Sequence, residues 1–228
     1  MYRDRRDAGR RLALELEPQR HLSPVIVALP RGGVVVGAEV AEGLGAPLDI
    51  LIVRKLGAPG HAELGIGAVV DLGGACGASG PEVFLDDLAR RLRVPQSYVG
   101  AEVALQVEEA RRRERAYRGD RPPLDLRHRV VILVDDGIAT GSSTRAALRA
   151  LRRCEPERLV LAVPVGPPET IESMRGEADE VVCPLMPDWF RAVGEFYEDF
   201  SQTTDEEVIE LLDKSWGREG ANSHPSGG

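Results

Sequence analysis

The sequence predicts an α/β protein with a mostly parallel central sheet flanked by helices. Three observations lead there. Apolar runs of strand length alternate with segments of helical spacing. Three of those runs end in residues suited to a ligand: Arg31-Gly32-Gly33, Arg54-Lys55 and Asp135-Asp136. The 228 residues, 43% of them hydrophobic, suffice for one domain with a buried core.

Taken in order, residues 2–17 have helical spacing, with Leu12, Leu14 and Leu16 near the end and Pro18 as the stop. Val25–Pro30 reads as a buried strand. The apolar stretch from Gly33 to Leu44 fits a helix ending at Gly45, although Val34-Val35-Val36 lowers its intrinsic propensity. Asp49–Lys55 is a second strand. Leu56–Gly65, rich in Gly and Pro, is a loop. Ile66–Asp71 is a third strand, and Gly73–Gly80 a turn region.

Residues 97–118 give the clearest helix, with Val99, Val103, Val107 and Ala110 on one face. Glu108–Arg112, Glu109–Arg113 and Glu114–Arg118 are i,i+4 pairs expected on its wet side. Arg111-Arg112-Arg113 is read as a solvated face. Val130–Val134 is a fourth strand, Ser142–Arg153 a helix and Arg158–Val165 a fifth strand. Pro167–Gly176 is a short helix and Glu180–Cys183 a further strand. Thr204–Lys214 closes the ordered chain as an amphipathic helix with a Thr204/Glu207 capping box. The organisation expected is a core over residues 1–184, a small C-terminal segment over 185–214 and a disordered tail over 215–228.

Composition narrows the function. The formal charge is −8, from 37 acidic and 29 basic residues. That argues against a nucleic-acid-coating protein, which needs a basic surface. Residues 195–213 hold eight of the acids and no Lys or Arg, so the rest of the chain is formally neutral. Cys76, Cys154 and Cys183 lie far apart with no C-x-x-C pair. Neither a disulfide framework nor a cysteine zinc site is expected. No signal peptide and no run of about 18 apolar residues is seen, so a soluble cytoplasmic protein is expected.

Asp135–Thr144 carries the chemistry. A buried strand delivers two adjacent carboxylates to the sheet edge. Gly137 and Gly141 then bring backbone amides close to a ligand, with hydroxyls from Thr140, Ser142, Ser143 and Thr144. A helix N-terminus follows, which favours an anion. The combination suits a phosphate monoester, and the carboxylates suit ribose hydroxyls or a magnesium ion. No Gly-Lys-Ser/Thr ends the loop, so it is not a Walker A sequence.

Val134-Asp135-Asp136-x-x-x-Thr140-Gly141-x-Ser143 resembles the phosphoribosyl pyrophosphate (PRPP) signature of the type I phosphoribosyltransferases. Leu29-Pro30-Arg31-Gly32-Gly33 resembles that family's pyrophosphate loop, and Leu56–Gly65 its flexible catalytic loop. The likeness covers residues 25–165 and is nearest to bacterial members without an assigned base. It implies an enzyme moving phosphoribose from PRPP to a nucleobase-like acceptor, with Mg²⁺ as cofactor and a homodimeric state. Gly137, Ala139, Thr140, Gly141, Ser142, Ser143 and Thr144 would then hold the 5′-phosphate. Asp135 and Asp136 would be catalytic, holding the ribose hydroxyls directly or through Mg²⁺. Arg31, Gly32, Gly33 and Arg54 would hold pyrophosphate, with Lys55 or His61 neutralising it as it leaves. Ala139 stands where the 6-oxopurine enzymes usually carry Asp, which weakens a hypoxanthine or guanine assignment.

Five of the ten aromatic residues fall between 189 and 200. The family places a variable hood over the base in this region, so Trp189 and Phe190 are candidate base contacts by stacking. Anchoring of a C-terminal subdomain accounts for these rings equally well. A non-catalytic PRPP sensor on the same fold is the alternative function. No added winged-helix region or dedicated basic face points to DNA or RNA.

Overall fold

Strand β1 (Val25–Ala28) is apolar at every position because both of its faces are covered. It pairs in parallel with β2 (Leu48–Ile50) on one side and β6 (Val130–Val134) on the other. Adding β7 (Arg158–Ala162) and β8 (Glu180–Val182) completes a parallel sheet of order β2-β1-β6-β7-β8. The structure, a computed structural model, describes residues 1–77 and 80–222.

Strand alternation sends Ile26, Ala28, Ile132 and Val134 into one core layer. There they meet α1 (Arg5–Glu15), α2 (Gly32–Leu44) and α7 (Asp205–Asn222). Val25, Val27, Val131 and Leu133 face the opposite layer with α5 (Ser142–Arg152). The helix α2 forms despite its valine run because Val34 and Val36 are fully buried against the sheet. Packing outweighs a propensity deficit of a few tenths of a kcal/mol per residue.

Four expectations are corrected. The run read as one strand over Asp49–Lys55 is two. The chain leaves the parallel sheet at Leu51 and enters β3 (Ile52–Ala58) of a separate antiparallel sheet, whose further strands are β4 (His61–Asp71) and β5 (Glu82–Leu85), in that order. Leu56–Gly65 is not a loop. It is the end of β3, a two-residue turn at Pro59-Gly60 and the start of β4 (His61–Asp71), with a bulge around Gly57. The Gly and Pro residues there serve the bulge and the hairpin turn, both of which accommodate them. The third strand, β5 (Glu82–Leu85), and the short helix α3 (Asp87–Arg91) carry no sequence pattern long enough to announce them.

The third correction concerns cysteine. Cys76, in the turn after β4, and Cys154, at the end of α5, form a disulfide with Cα atoms 5.0 Å apart. They lie 78 residues apart in sequence, so no local spacing reveals the pair. The fourth concerns the C-terminus. Helix α7 runs past Lys214 to Asn222, where a disordered tail was expected. Trp216 is buried, and its Nε1 donates to the Leu48 carbonyl at 2.8 Å. That bond covers part of the outer edge of β2, at the carbonyl that no neighbouring strand takes. Residues 223–228 lie outside the described residues.

Helix α4 (Gln96–Arg118) covers the hairpin with Tyr98, Val103 and Val107. Its last residue departs from the expected wet side. Arg118 is buried and reaches Asp49 at 2.6 Å, while also donating to the Ile50 carbonyl. Asp49 further accepts from the amides of Ile50 and Leu124. No helix among the described residues is long and apolar enough to cross a membrane.

Arg118→Leu is expected to destabilise the protein by about 3–5 kcal/mol, because it leaves the Asp49 carboxylate buried without its partner. Chemical denaturation measures this, and a loss under about 1 kcal/mol would show that the pair does not hold the α4 terminus to β2.

Candidate functional site

Strand β1 has neighbours on both sides, and the chain reaches them through connections that diverge. In open parallel sheets ligands bind at the carboxyl ends of strands where the order reverses in this way. Here that place lies between the ends of β1 and β6. The two loops are joined by the Leu29 amide, which donates to the Val134 carbonyl at 3.0 Å. The Pro30–Arg31 peptide is cis.

Residues 137–144 form one wall of a pocket of about 180 Å³ that also contains Lys55 and Asp135, with Val193 over it. Gly141, at φ 75°, turns the chain into α5 and leaves its first turn without a side-chain cap. The first amides of α5 have no partner within the helix and point outward. Together with the hydroxyls of Thr140, Ser142 and Ser143 they suit an anion. The loop is braced from behind: Ile138 donates its amide to the Val165 carbonyl at 2.9 Å, and the Thr170 hydroxyl donates to the Ala139 carbonyl at 2.9 Å.

The two carboxylates have different surroundings. Asp135 Oδ1 accepts the Asp136 amide at 2.8 Å. Burial, and then the neighbouring Asp136 charge, push the Asp135 carboxyl well above the usual carboxylate range. Asp136 Oδ2 instead accepts from Arg5 Nε at 2.6 Å. The Asp136 carbonyl accepts the Tyr197 hydroxyl at 2.5 Å. Burial raises the Tyr197 pKa, so the phenol remains a donor.

Gly32 sits where these groups converge. A Cβ there would lie 1.9 Å from Asp136 Oδ2 and 2.7 Å from Arg5 Nε, so a side chain there would have to displace the Arg5–Asp136 pair. A Cβ on Gly33 would lie 3.0 Å from the Asp135 Cα and Oδ1, a tight but smaller conflict. These two glycines serve close approach of the β1 loop to the acidic pair.

The structure brings together Lys55, Asp135 and the whole loop from Gly137 to Thr144, and it sets Asp136 beside them against Gly32. It does not bring in every candidate. Arg54 points to the other face of its strand, where Nε donates to Gln106 Oε1 at 3.0 Å. Period-two alternation requires that separation from Lys55. Arg31 lies 3.8 Å from Asp205 at the start of α7 and does not line the phosphate pocket. His61 is exposed, one residue past the hairpin turn. Trp189 is 91% exposed and makes no ring contact among the described aromatics. Phe190 stacks on Phe196 with centroids 5.3 Å apart, inside a cluster with Tyr2, Tyr197 and Phe200.

Three residues of the site carry no local signal in the sequence. Arg5 is one arginine in a charged N-terminal run, and its partner lies 131 residues away. Tyr197 is one ring among five in its segment. Val193 is an ordinary apolar residue over Gly137, whose hypothetical Cβ would lie 2.5 Å from it.

Comparison with known proteins adds to this geometry. Residues 75–201 match the family model described as the phosphoribosyl transferase domain. That match includes the phosphate loop and the aromatic segment. A Mycobacterium tuberculosis protein provisionally named a phosphoribosyl transferase, found in two strains, is 42% identical over 215 residues. The alignment covers 94% of this chain and 47% of that protein, so the chain spans about half the length of the curated relatives it matches. The crystal structure of TT1426 from Thermus thermophilus is 45% identical with a TM-score of 0.78, covering 94% of this chain and 98% of that one.

Gly32→Ala is expected to cost about 1–3 kcal/mol, the range for forcing a methyl into a filled space. Gly100→Ala, in α4 with open space around it, should instead stabilise by roughly 0.5–1 kcal/mol. Urea denaturation of both variants checks the contrast. Equal stabilities would mean that the β1 loop can move away from Asp136 freely.

Proposed function

This chain belongs to the phosphoribosyl transferase family, and on that premise we propose that it transfers phosphoribose from PRPP to a nucleobase-like acceptor, releasing pyrophosphate. The supporting observation is the pocket that joins an uncapped helix N-terminus, the Asp135 carboxyl and the Lys55 ammonium. One substrate carrying a phosphate, vicinal hydroxyls and a diphosphate would engage all three.

In this reading the loop from Gly137 to Thr144 takes the 5′-phosphate. Asp135 and Asp136 take the 2′- and 3′-hydroxyls as acceptors. The C1–O bond breaks with its electron pair leaving on pyrophosphate, and a nitrogen of the acceptor forms the new bond to C1 while its proton passes to solvent. Positive charge grows on the ribose ring in between, so nearby carboxylates stabilise it. Lys55 offsets charge on the leaving pyrophosphate. Arg31 and the amides of Gly32 and Gly33 border the same crevice from the β1 side. The β3–β4 hairpin, which carries Lys55, limits access of water, which competes with the acceptor.

Two adjacent carboxylates beside a phosphate pocket fit Mg²⁺, which typically takes one or two carboxylates together with substrate phosphates and waters. Asp135 and the Oδ1 atom of Asp136 are the groups that would hold it, because Arg5 already engages Oδ2. When bound, Mg²⁺ supplies neutralisation of the diphosphate charge. Phe190 packs inside the aromatic cluster, so of the two base-contact candidates Trp189 is the one with a free face.

Incubation with PRPP, Mg²⁺ and a panel of bases is expected to release pyrophosphate with at least one of them. Lys55→Ala and Asp135→Asn should each lower the rate by roughly 10²-fold, the scale of one electrostatic contact to developing charge. PRPP binding without release for any base would shift the assignment to a PRPP sensor. Absence of PRPP binding would refute both.

A further inference from the structure

Arg5 is held more firmly than a surface arginine. Its side chain is 12% exposed, although it sits in the first turn of a helix at the N-terminal end of the chain. Nε donates to Asp136 Oδ2 at 2.6 Å, and one terminal nitrogen donates to the Ser201 carbonyl at 2.7 Å. The guanidinium lies 3.8 Å from the centre of the Phe200 ring, within cation–π range. A planar fork with one charge meets a carboxylate, a carbonyl and a ring face at once. Lysine, a point charge on a flexible stem, cannot reproduce that set.

The segments it joins are otherwise tied to one another, but not to the carboxylate. Tyr2 exchanges backbone bonds with Phe196 and Glu198, and Asp199 donates its amide to the Arg3 carbonyl. Residues 2–5 thus travel with the aromatic segment 190–201. Asp136 belongs to the β6 loop. Two hydrogen bonds bridge the bodies at Asp136 itself, Arg5 to its side chain and Tyr197 to its carbonyl, beside the packing of Val193 on Gly137. Asp135 lines the phosphate pocket and Asp136 does not.

We propose that Arg5 is a positioning residue for sugar binding, clamping the Asp136 carboxylate to the N-terminal and aromatic segments so that their closure sets the ribose site. Its resident charge compensates Asp136 on the Oδ2 side and leaves Oδ1 available to the sugar, directly or through Mg²⁺. The ribose role rests on the proposed function, whereas the clamp itself does not.

Two measurements on the full chain separate these layers. Hydrogen exchange without ligand is compared for wild type, Arg5→Gln, Arg5→Lys and Arg6→Gln. Arg6 pairs with Glu39 and Glu207, away from the acidic pair, and serves as control. Arg5→Gln should raise exchange several-fold in both 134–141 and 196–203, with Arg6→Gln at wild-type levels. Wild-type protection of 134–141 in Arg5→Gln overturns the clamp. If Arg5→Gln loses its fold globally, Arg5→Lys decides: a rise confined to those two segments supports the clamp, and none overturns it.

Calorimetry with PRPP and Mg²⁺ then tests the sugar role. PRPP affinity should fall about 10- to 100-fold in Arg5→Gln and less in Arg5→Lys, at unchanged stoichiometry. Equal affinity in wild type and Arg5→Gln overturns that role. No PRPP binding by wild type refutes the proposed function and with it the sugar role, while the exchange result still decides the clamp.

Discussion

Two carboxylates on consecutive residues at the end of a buried strand set the terms for everything around them. Removing an ion from water costs several kcal/mol even after relaxation, and two like charges side by side add to that cost. The protein resolves the conflict unequally. Asp135, half-buried in the pocket wall and beside a like charge, is shifted towards its neutral form and takes a backbone amide. Asp136 keeps a cation at 2.6 Å. That cation comes from the far end of the sequence, so α1 must dock over the β1 and β6 ends. Docking that close leaves no space at position 32, which explains its glycine.

The chain's uneven charge also finds a place in the fold. The eight acids between residues 195 and 213 looked like a separate acidic appendage. In the fold two of them face arginines of the N-terminal half: Glu207 lies 3.5 Å from Arg6, and Asp205 lies 3.8 Å from Arg31 and accepts the Tyr117 hydroxyl. The first two contacts are partly exposed and individually worth little. Their effect is orientation. They favour the acidic helix α7 over the arginine-bearing ends of α1 and β1, where Trp216 then fixes it to Leu48.

What could be read from the sequence follows physical range. The parallel sheet, its flanking helices and the strand–loop–helix from Val130 to Arg152 were legible because each rests on local patterning: apolar runs, hydroxyls and glycines at fixed offsets. Their meeting place is also local in origin, since a parallel sheet puts every strand's carboxyl end on one side. Arg5, the Cys76–Cys154 bond and buried Arg118 were not legible, because each depends on a partner 131, 78 or 69 residues distant. The hairpin failed for a different reason. Its Gly and Pro residues signal a backbone special, and the same residues serve a loop, a bulge or a two-residue turn.

The hairpin bears directly on how a phosphate site beside it works. A disordered loop can bring any of its side chains to a ligand, at the entropic cost of ordering about 1–2 kcal/mol per residue. A paired strand offers only alternate residues to one face, but they arrive already placed. Lys55 is across from Ala68 and Phe84 in register, on the face turned to α5 and the phosphate loop. Arg54, one residue earlier, pairs with Val69 on the face covered by α4. One position of slip would exchange them, taking Arg54 away from Gln106 into the pocket and turning Lys55 towards α4 instead. The bulge at Gly57 lies beyond Lys55, towards the turn. The tip can therefore bend at the bulge while the register that aims Lys55 stays fixed by the pairs from Ile52 to Leu56.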